Sequence, residues 1–478
     1  MNLSDLLCGI AEAGAIGSRE ITDVCSDSRK IVPGCVFVCM KGGRFDGHDH
    51  AGEALKAGAA AVLCERDLGL ADQVVVQNTH LAYAQMCANF YGNPERGMRF
   101  IGVTGTNGKT TTTNLIKGIL TGAGYRVGLV GTNQNEIGDE VIPAHRTTPD
   151  AYELYHLFRR MADAGCDYVV MEVSSHALHQ YRLGTLPFEI GVFTNLTQDH
   201  LDYHGTMDAY FEAKKMLFQM TKKAILNLDD AYGRRLAHEV SCAVVGFSDR
   251  QTAADYYAEN ISYSANGIHY TLCHSGAQYM VDFGMPGVFS VLNSLAAAAV
   301  CVELGLPAAE VATSFAKSRG VKGRSEVIPT GRNFTIVCDY AHTPDGLDNV
   351  LPALKKNAVG RLVTLFGCGG DRDRTKRPLM GESAALHSDF VIVTSDNPRT
   401  ENPGAIIREI LPGVEKHSTP YVVIPDRREA IYYAVRHAQP GDLIVLAGKG
   451  HEDYQVIGEQ EFHFDEREVV ADALRETV

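Results

Sequence analysis

The sequence predicts a three-domain α/β protein. Three observations carry this. Its 478 residues suit about three domains. Short apolar runs alternate with stretches of helical periodicity, the pattern of sheets joined by crossover helices. And residues 101–113, reading IGVTGTNGKTTTT, join a strand to a helix through a glycine loop. With 45% hydrophobic residues, each domain can hold a core of its own.

Composition excludes several classes. A formal net charge of -14 opposes non-specific nucleic-acid binding, so anionic ligands must be held by locally placed cations, Mg²⁺ and backbone N–H groups. The 12 cysteines are scattered singly, without a C-x-x-C pair or zinc spacing, and read as buried thiols in a reducing compartment. The N-terminus has acids at Asp5 and Glu12 and no basic region, so no secretory signal is expected. No apolar run reaches the roughly 18 residues of a membrane span. A cytoplasmic protein is expected, free of membrane and nucleic acid.

Residues 1–98 read as a small α/β unit, with strands at 36–40, 60–64 and 74–76 and helices at 51–59 and 81–91. Asp27-Ser28-Arg29 and Lys41-Gly42-Gly43-Arg44-Phe45-Asp46-Gly47-His48 fit a phosphate or nucleotide-sugar site, or equally plain polar loops. Asn93-Pro-Glu-Arg-Gly97 has linker chemistry and closes the unit.

The second domain spans 99–328. In its loop, Gly105, Thr106, Asn107 and Gly108 precede Lys109-Thr110-Thr111, which open a helix carrying Leu115, Ile116, Ile119 and Leu120 at helical spacing. Glycines let N–H groups turn inward around an anion, and the helix N-terminus adds partial positive charge. Lys109 then reaches the outer phosphates and the Thr110 hydroxyl is placed to ligate Mg²⁺. The usual G-x-x-x-x-G-K-[ST] pattern is not met, since Val103 stands where its first glycine belongs and Gly105 replaces it. A nucleoside triphosphate site is predicted, because a simple turn has no use for Lys-Thr-Thr.

Further along, 127–130 is a strand and Arg146-Thr147-Thr148-Pro149 a turn with two hydroxyls. The buried strand 167–173 places Glu172 at its C-terminal end, where a carboxylate beside an ATP loop is suited to Mg²⁺, and Ser174 follows. Strand 190–196 leads into residues 197–205, whose two Asp and two His, His200 among them, point to a second metal. On helix 208–218, Tyr210, Phe211, Leu217 and Phe218 define a stripe with Lys214 near its middle and Lys215 roughly 100° away. An inward lysine is costly unless its charge is compensated, or it snorkels outward. Residues 261–272 alternate around Asn266-Gly267, a hairpin signal, and with 278–283 make an antiparallel annex. An alanine-rich helix follows at 287–300.

The third domain, 329–478, again alternates strand and helix, with strands at 335–339, 362–366, 390–394, 421–424 and 443–446. Four of these end in polar clusters, at 339–345, 367–373, 395–401 and 448–452. Open α/β sheets bind ligands beyond the carboxyl ends of their strands, so the clusters argue for a site. In Asp396-Asn397-Pro398-Arg399 the proline sets a turn, but the arginine serves no turn; its planar fork suits a carboxylate, as does that of Arg372.

The stretch G-T-N-G-K-T-T resembles the ATP loop of the Mur ligases and their folylpolyglutamate synthetase relatives, and the likeness covers nearly the whole chain. It implies an α/β fold with a P-loop ATPase-like central domain and a Rossmann-like third domain. It further implies an ATP-dependent ligase that forms an acyl-phosphate on a substrate carboxylate, which an amine then attacks with loss of phosphate. By the same resemblance Ser28, Gly43, Arg44 and Phe45 hold UDP, while Thr147, Thr148, Ser174, Gln180 and Arg182 lie on the muramoyl-peptide. Asn293 lies near the base, Arg324 near the nucleotide and Asp339 near the ribose. Lys214 matches the lysine that reacts with CO₂ to give a carbamate (N6-carboxylysine), which with Thr110, Glu172 and His200 serves Mg²⁺; Lys109, Glu172, His200 and Lys214 form the catalytic set. Arg146 departs from the asparagine often found before the two threonines. The 396–399 tetrapeptide is similar to that of diaminopimelate-adding members, with Gly448 and Glu452 at the other matching contacts. The resemblance thus implies addition of meso-diaminopimelate to UDP-N-acetylmuramoyl-L-alanyl-D-glutamate by a monomer. The alternatives are the same ligation with L-lysine, a folylpolyglutamate-type ligase, and a switch protein that uses ATP only to change shape.

Overall fold

A computed structural model describes residues 1–42, 45–264, 267–285, 287–318, 321–356 and 358–476; Gly43, Arg44 and Asn266 lie outside the described residues. Tertiary contacts group the chain into one unit of Met1–Thr104, Gly124–Gly191 and Ala213–Lys223 and a second of Gly105–Ala123, Val192–Glu212 and Ala224–Val478.

In the first unit, strands Asp23–Cys25, Cys35–Val38, Ala61–Cys64 and Gln73–Val75 form a four-stranded parallel sheet in that order. Cys35–Val38 and Ala61–Cys64 are buried at every residue, because strands covered on both faces must be apolar throughout. Helix Thr79–Phe90 starts two residues before the expected 81, where the Asn78 side chain caps it by accepting from Leu81 N. The unit also holds Arg99–Thr104, Tyr168–Glu172 and Val127–Val130, paired parallel in that order, followed by the antiparallel strands Gln134–Ile137 and Glu140–Pro143. Polar residues in that hairpin hide its period from the sequence; it turns at Gly138, φ 60°.

In the second unit, helix Lys109–Gly122 buries Leu115, Ile116, Ile119 and Leu120 as its spacing requires. Helix Val288–Glu303 packs on it, with Ala296 to Ala299 wholly buried so that the backbones approach closely. The annex is Tyr256–Ser264, Gly267–His274 and Ala277–Phe283, antiparallel and longer than the sequence suggests.

The last sheet runs Glu326–Ile328, Thr335–Asp339, Leu443–Ala447, Leu362–Phe366, Phe390–Val393, Tyr421–Val423. All neighbours are parallel except the first pair, in which Glu326–Ile328, just ahead of the expected boundary at 328, lies along Thr335–Asp339. Leu347, Leu351, Met380, Ile406 and Ile410 cover one face, and Ala430, Ile431, Val469 and Val470 the other. Leu443–Ala447, late in sequence, lies between Thr335–Asp339 and Leu362–Phe366. The four polar clusters therefore leave one end of the sheet at adjacent strands. A hairpin not foreseen from the sequence, Tyr454–Ile457 and Gln460–His463, follows the last cluster. Among the described residues no helix is long and apolar enough to cross a membrane.

Candidate active site

The ATP loop is built in the second unit. Gly105 has φ 146°, and a Cβ there would strike the Thr194 hydroxyl; Gly108 has φ 87°, and a Cβ there would strike Asn293 Oδ1. Only glycine meets both demands. Asn195 ties the loop down: its backbone O accepts from Thr106 N at 2.9 Å and its Oδ1 from Asn107 N at 2.9 Å. Lys109 Nζ donates to the carbonyls of Gly105 and Thr106, both at 2.9 Å, which holds the ammonium across the loop mouth. No side chain caps the helix that begins at Lys109, and the partial positive charge of its N-terminus favours an anion at the loop.

Other expected nucleotide residues meet this loop. Thr112 Oγ1 donates to Asn293 Oδ1 at 3.4 Å, and Arg324 Nη2 to Thr110 Oγ1 at 3.0 Å. Arg324 also lies 4.4 Å above the Tyr340 ring. Buried Asp339 accepts from Ser325 N and Ala341 N at 2.6 and 2.8 Å; burial raises its pKa against the opposing pull of Arg324. Asp345, from the same strand-end cluster, accepts from Asn107 Nδ2 at 2.8 Å.

The loop at 197–205 does not gather its four metal-type side chains. Asp199 is buried, facing Lys376 at 3.5 Å and His342 at 3.8 Å. Burial opposes its charge, but Lys376, His200 and His342 outweigh that and hold its pKa well down, whereas burial and Lys376 push His342 down to about 4. His204 stacks on Tyr210, and Asp202 is exposed. Among the described residues no three His, Cys, Asp or Glu side chains cluster closely enough to hold a metal. His200 adopts φ 54° and stands just before the short helix Leu201–His204, without a capping bond from its side chain.

In the first unit Glu172 ends its strand buried, accepting from the N–H and the hydroxyl of Thr132, each at 2.9 Å. The Thr132 hydroxyl also lies 3.1 Å from that of Thr147. Thr148 Oγ1 donates to Glu172 O and accepts from Ser174 N. Arg182 donates to Thr148 O at 2.8 Å and to Gln180 Oε1 at 2.7 Å. The expected muramoyl-peptide residues thus converge on the strand end bearing Glu172. Lys214 is 2% exposed on helix Met207–Gln219, whereas Lys215 is half-buried. Phe45 is exposed and stacks on His50 at 4.8 Å; Ser28 starts a one-turn helix capped by Asp27, whose bonds from Arg29 lower its pKa to about 2.

The cluster expected to take the amino acid lies in the second unit. Arg399 has φ 50°, an unusual state for a residue with a side chain, fixed by Arg399 N donating to Val456 O and Gly458 N to Arg399 O. Its Nη1 donates to Gly370 O at 2.9 Å. Burial and the neighbouring Arg372 lower its pKa, against the opposing pull of Asp396 and Glu452. Buried Arg377 grips Glu401, which in turn accepts from Asp371 N, so the loops of Arg372 and Arg399 are fastened together. Gly448, φ 113°, passes so close to Asp396 that a Cβ would meet Oδ2 at 2.8 Å. Asp396 stays ionised against burial through Lys449 and Arg427, while burial and Asp396 raise Glu452.

Sequence reasoning missed Thr132, Asn195, Asp345, Lys376 and Lys449. A signal for the first two existed: Gly131-Thr132-Asn133 repeats the Gly105-Thr106-Asn107 triplet, and Thr194-Asn195 also follows a strand.

Family profiles match along the chain: the Mur ligase catalytic domain at 20–91, the Mur ligase middle domain at 103–301 and the Mur ligase glutamate ligase domain at 323–450. The chain is 46% identical to the UDP-N-acetylmuramoyl-L-alanyl-D-glutamate–2,6-diaminopimelate ligase of Caldanaerobacter subterraneus subsp. tengcongensis over 100% of both. It is 45% identical to the protein of the same name from Syntrophomonas wolfei subsp. wolfei, over 96% of this chain and 95% of that one. A solved structure of a ligase of that name superposes with a TM-score of 0.71 at 35% identity, covering 100% of this chain and 99% of that one. Loop geometry, strand-end clusters and full-length similarity agree, and the chain belongs to the Mur ligase family.

Proposed function

We propose that the protein joins meso-diaminopimelate to UDP-N-acetylmuramoyl-L-alanyl-D-glutamate, using ATP and Mg²⁺. The observation that carries this reading is 46% identity across the full chain to a ligase named for that pair of substrates. Arg399, held at φ 50° beside Arg372, supports the choice of amino acid, because its planar fork suits a carboxylate.

Lys109, the loop N–H groups and the helix start hold the ATP phosphates, with Arg324 and Asp339 on the nucleotide. The substrate carboxylate attacks the γ-phosphorus, ADP leaves, and an acyl-phosphate results. The amine then attacks the acyl carbon, phosphate leaves, and the amine proton is lost to give the amide. Thr147, Thr148, Ser174, Gln180 and Arg182 orient the muramoyl-peptide. Arg399, with Arg372, receives the distal carboxylate of diaminopimelate and Glu452 its ammonium. Mg²⁺, when bound, neutralises phosphate charge. In the second unit the Thr110 hydroxyl and His200, and in the first the buried carboxylate of Glu172 and a carbamate on Lys214, are the groups proposed to serve magnesium; fixed, oxygen-rich donors such as Glu172 fit that ion. The 12 free cysteines support a reducing, cytoplasmic location.

The test is phosphate release with the muramoyl-dipeptide nucleotide, ATP and a panel of amino acids, followed by competition between meso-diaminopimelate and L-lysine at equal concentration. Efficient lysine incorporation would overturn the amino-acid assignment and leave the ligase chemistry standing. ATP turnover without stoichiometric amide would favour the switch protein.

A further inference from the structure

Lys449 is an unusual residue in a place where the proposed chemistry gives it no task. It follows strand Leu443–Ala447 between Gly448, φ 113°, and Gly450, φ 55°. A Cβ at Gly450 would press on Tyr340 Cβ at 2.7 Å, so the chain threads here only with glycine on both sides. The lysine is thereby driven inward and has 0% exposure. Its Nζ donates to Asn397 Oδ1 at 3.1 Å and to Glu452 Oε2 at 3.3 Å. The rings of Tyr454 and Phe464 lie 5.6 and 5.9 Å from it.

Its partners complete a closed network. Asn397 Oδ1 also accepts from Val456 N at 3.0 Å, which fixes the amide orientation. Asn397 Nδ2 consequently points to Glu452 Oε2 at 2.8 Å. Both bonds to Glu452 fall on Oε2, so Oε1 is the oxygen suited to an incoming ammonium. A buried ammonium is expensive to desolvate, and a fold keeps one only where its charge is used. Here two buried carboxylates, Asp396 and Glu452, would otherwise repel each other into protonation.

We propose that Lys449 is a positioning residue of the amino-acid site: it keeps Glu452 ionised and locks Asn397, so that Glu452 meets the substrate ammonium as a carboxylate with one oxygen committed and one offered. This rests on the reading that the site takes diaminopimelate. The groups facing Glu452 are Asp396 and Arg399 from the 396–399 loop, Lys449 from its own loop, Tyr454 from the following strand, and Tyr340. Burial and Asp396 raise its pKa, and Lys449 is the cation that opposes them through direct contact.

The experiment uses the full-length protein and Lys449→Met, which keeps the stem and removes charge and donors. At neutral pH the KM for meso-diaminopimelate rises about tenfold or more while the KM for ATP stays within about twofold. The acid limb of 1/KM for diaminopimelate moves to higher pH by about one unit, because Glu452 then protonates earlier. A purely structural lysine would lower yield and kcat without moving that limb. Should Lys449→Met fail to fold by thermal unfolding, the double variant Lys449→Met/Glu452→Gln removes charge and counter-charge together. It should show the raised KM with no acid limb from residue 452. An unshifted limb in the single variant, or a parental KM in the double, overturns the proposal. Failure of the unaltered protein to use meso-diaminopimelate would overturn the substrate reading, and this proposal with it, before any variant is compared.

Discussion

The glycine loop proposed to hold ATP and the strand-end cluster proposed to hold the amino acid are built from opposite materials. The first is contiguous and made mostly of backbone: Gly105 and Gly108 open the turn, the helix at Lys109 aims N–H groups into it, and one lysine crosses it. The second is assembled from the ends of several strands and made of side chains: Asn397, Lys449 and Glu452 share one hydrogen-bonded network, with the charges of Asp396 and Arg399 beside it. A backbone cradle fits phosphate in any nucleotide, whereas a side-chain network can be tuned to one amino acid. In the proposed function, general chemistry and specificity are therefore placed in different kinds of structure.

That contrast predicts effects of different kind and size. Lys109→Ala should cost on the order of 10³ in kcat while leaving the fold intact, since it removes charge from the phosphates in the transition state. Near-normal turnover by the folded variant would refute the cradle. Next, Lys214→Ala should lose on the order of 10² or more in rate, as for loss of a positioned charge at the reacting centre, and added short carboxylic acids should restore part of it. Lys215→Ala should be mild, and equal effects at both positions without rescue would remove the carbamate reading. Arg399→Ala should act mainly on KM for diaminopimelate, by about 10²-fold, and narrow the preference over lysine by a comparable factor, because a site built for a charged group pays heavily when that group is missing. A fall in kcat alone would blur the division between the two regions. The smallest effect belongs to Asp345→Asn, which weakens one contact to Asn107 of the loop: a severalfold rise in KM for ATP, read by initial rates.

The same division explains what could be read from the chain alone. Local chemistry was legible. The five parallel strands from Thr335–Asp339 to Leu443–Ala447 announce themselves as β-branched runs, and Gly105 to Thr111 declares its turn, helix start and cation within seven residues. Lys214 stood out because helical spacing alone turns it inward, where the structure places it. Partnerships set by tertiary structure were not legible. The repeated Gly-Thr-Asn triplet and Thr194-Asn195 hint that Thr132 and Asn195 matter, but nothing local gives their partners, Glu172 and a loop about 90 residues earlier, or marks Asp199 as the partner of Lys376 rather than a metal-type ligand. The hairpin at 454–463 escaped for a related reason: its strands are largely solvent-facing, so burial imposes no strict alternation on Tyr454-Gln-Val-Ile or Gln460-Glu-Phe-His.

The left-handed backbone of Arg399 has a consequence for heredity. Most residues with side chains sit there at some conformational cost, while glycine, asparagine and aspartate accept it readily. Replacing this arginine by one of those would leave the turn unstrained and the bonds to Val456 and Gly458, which use only the main chain, intact. A lineage could thus exchange the arginine proposed to meet the distal carboxylate without first repairing the scaffold around it. At the position proposed to choose the amino acid, the turn is held by main-chain bonds that ask nothing of the side chain.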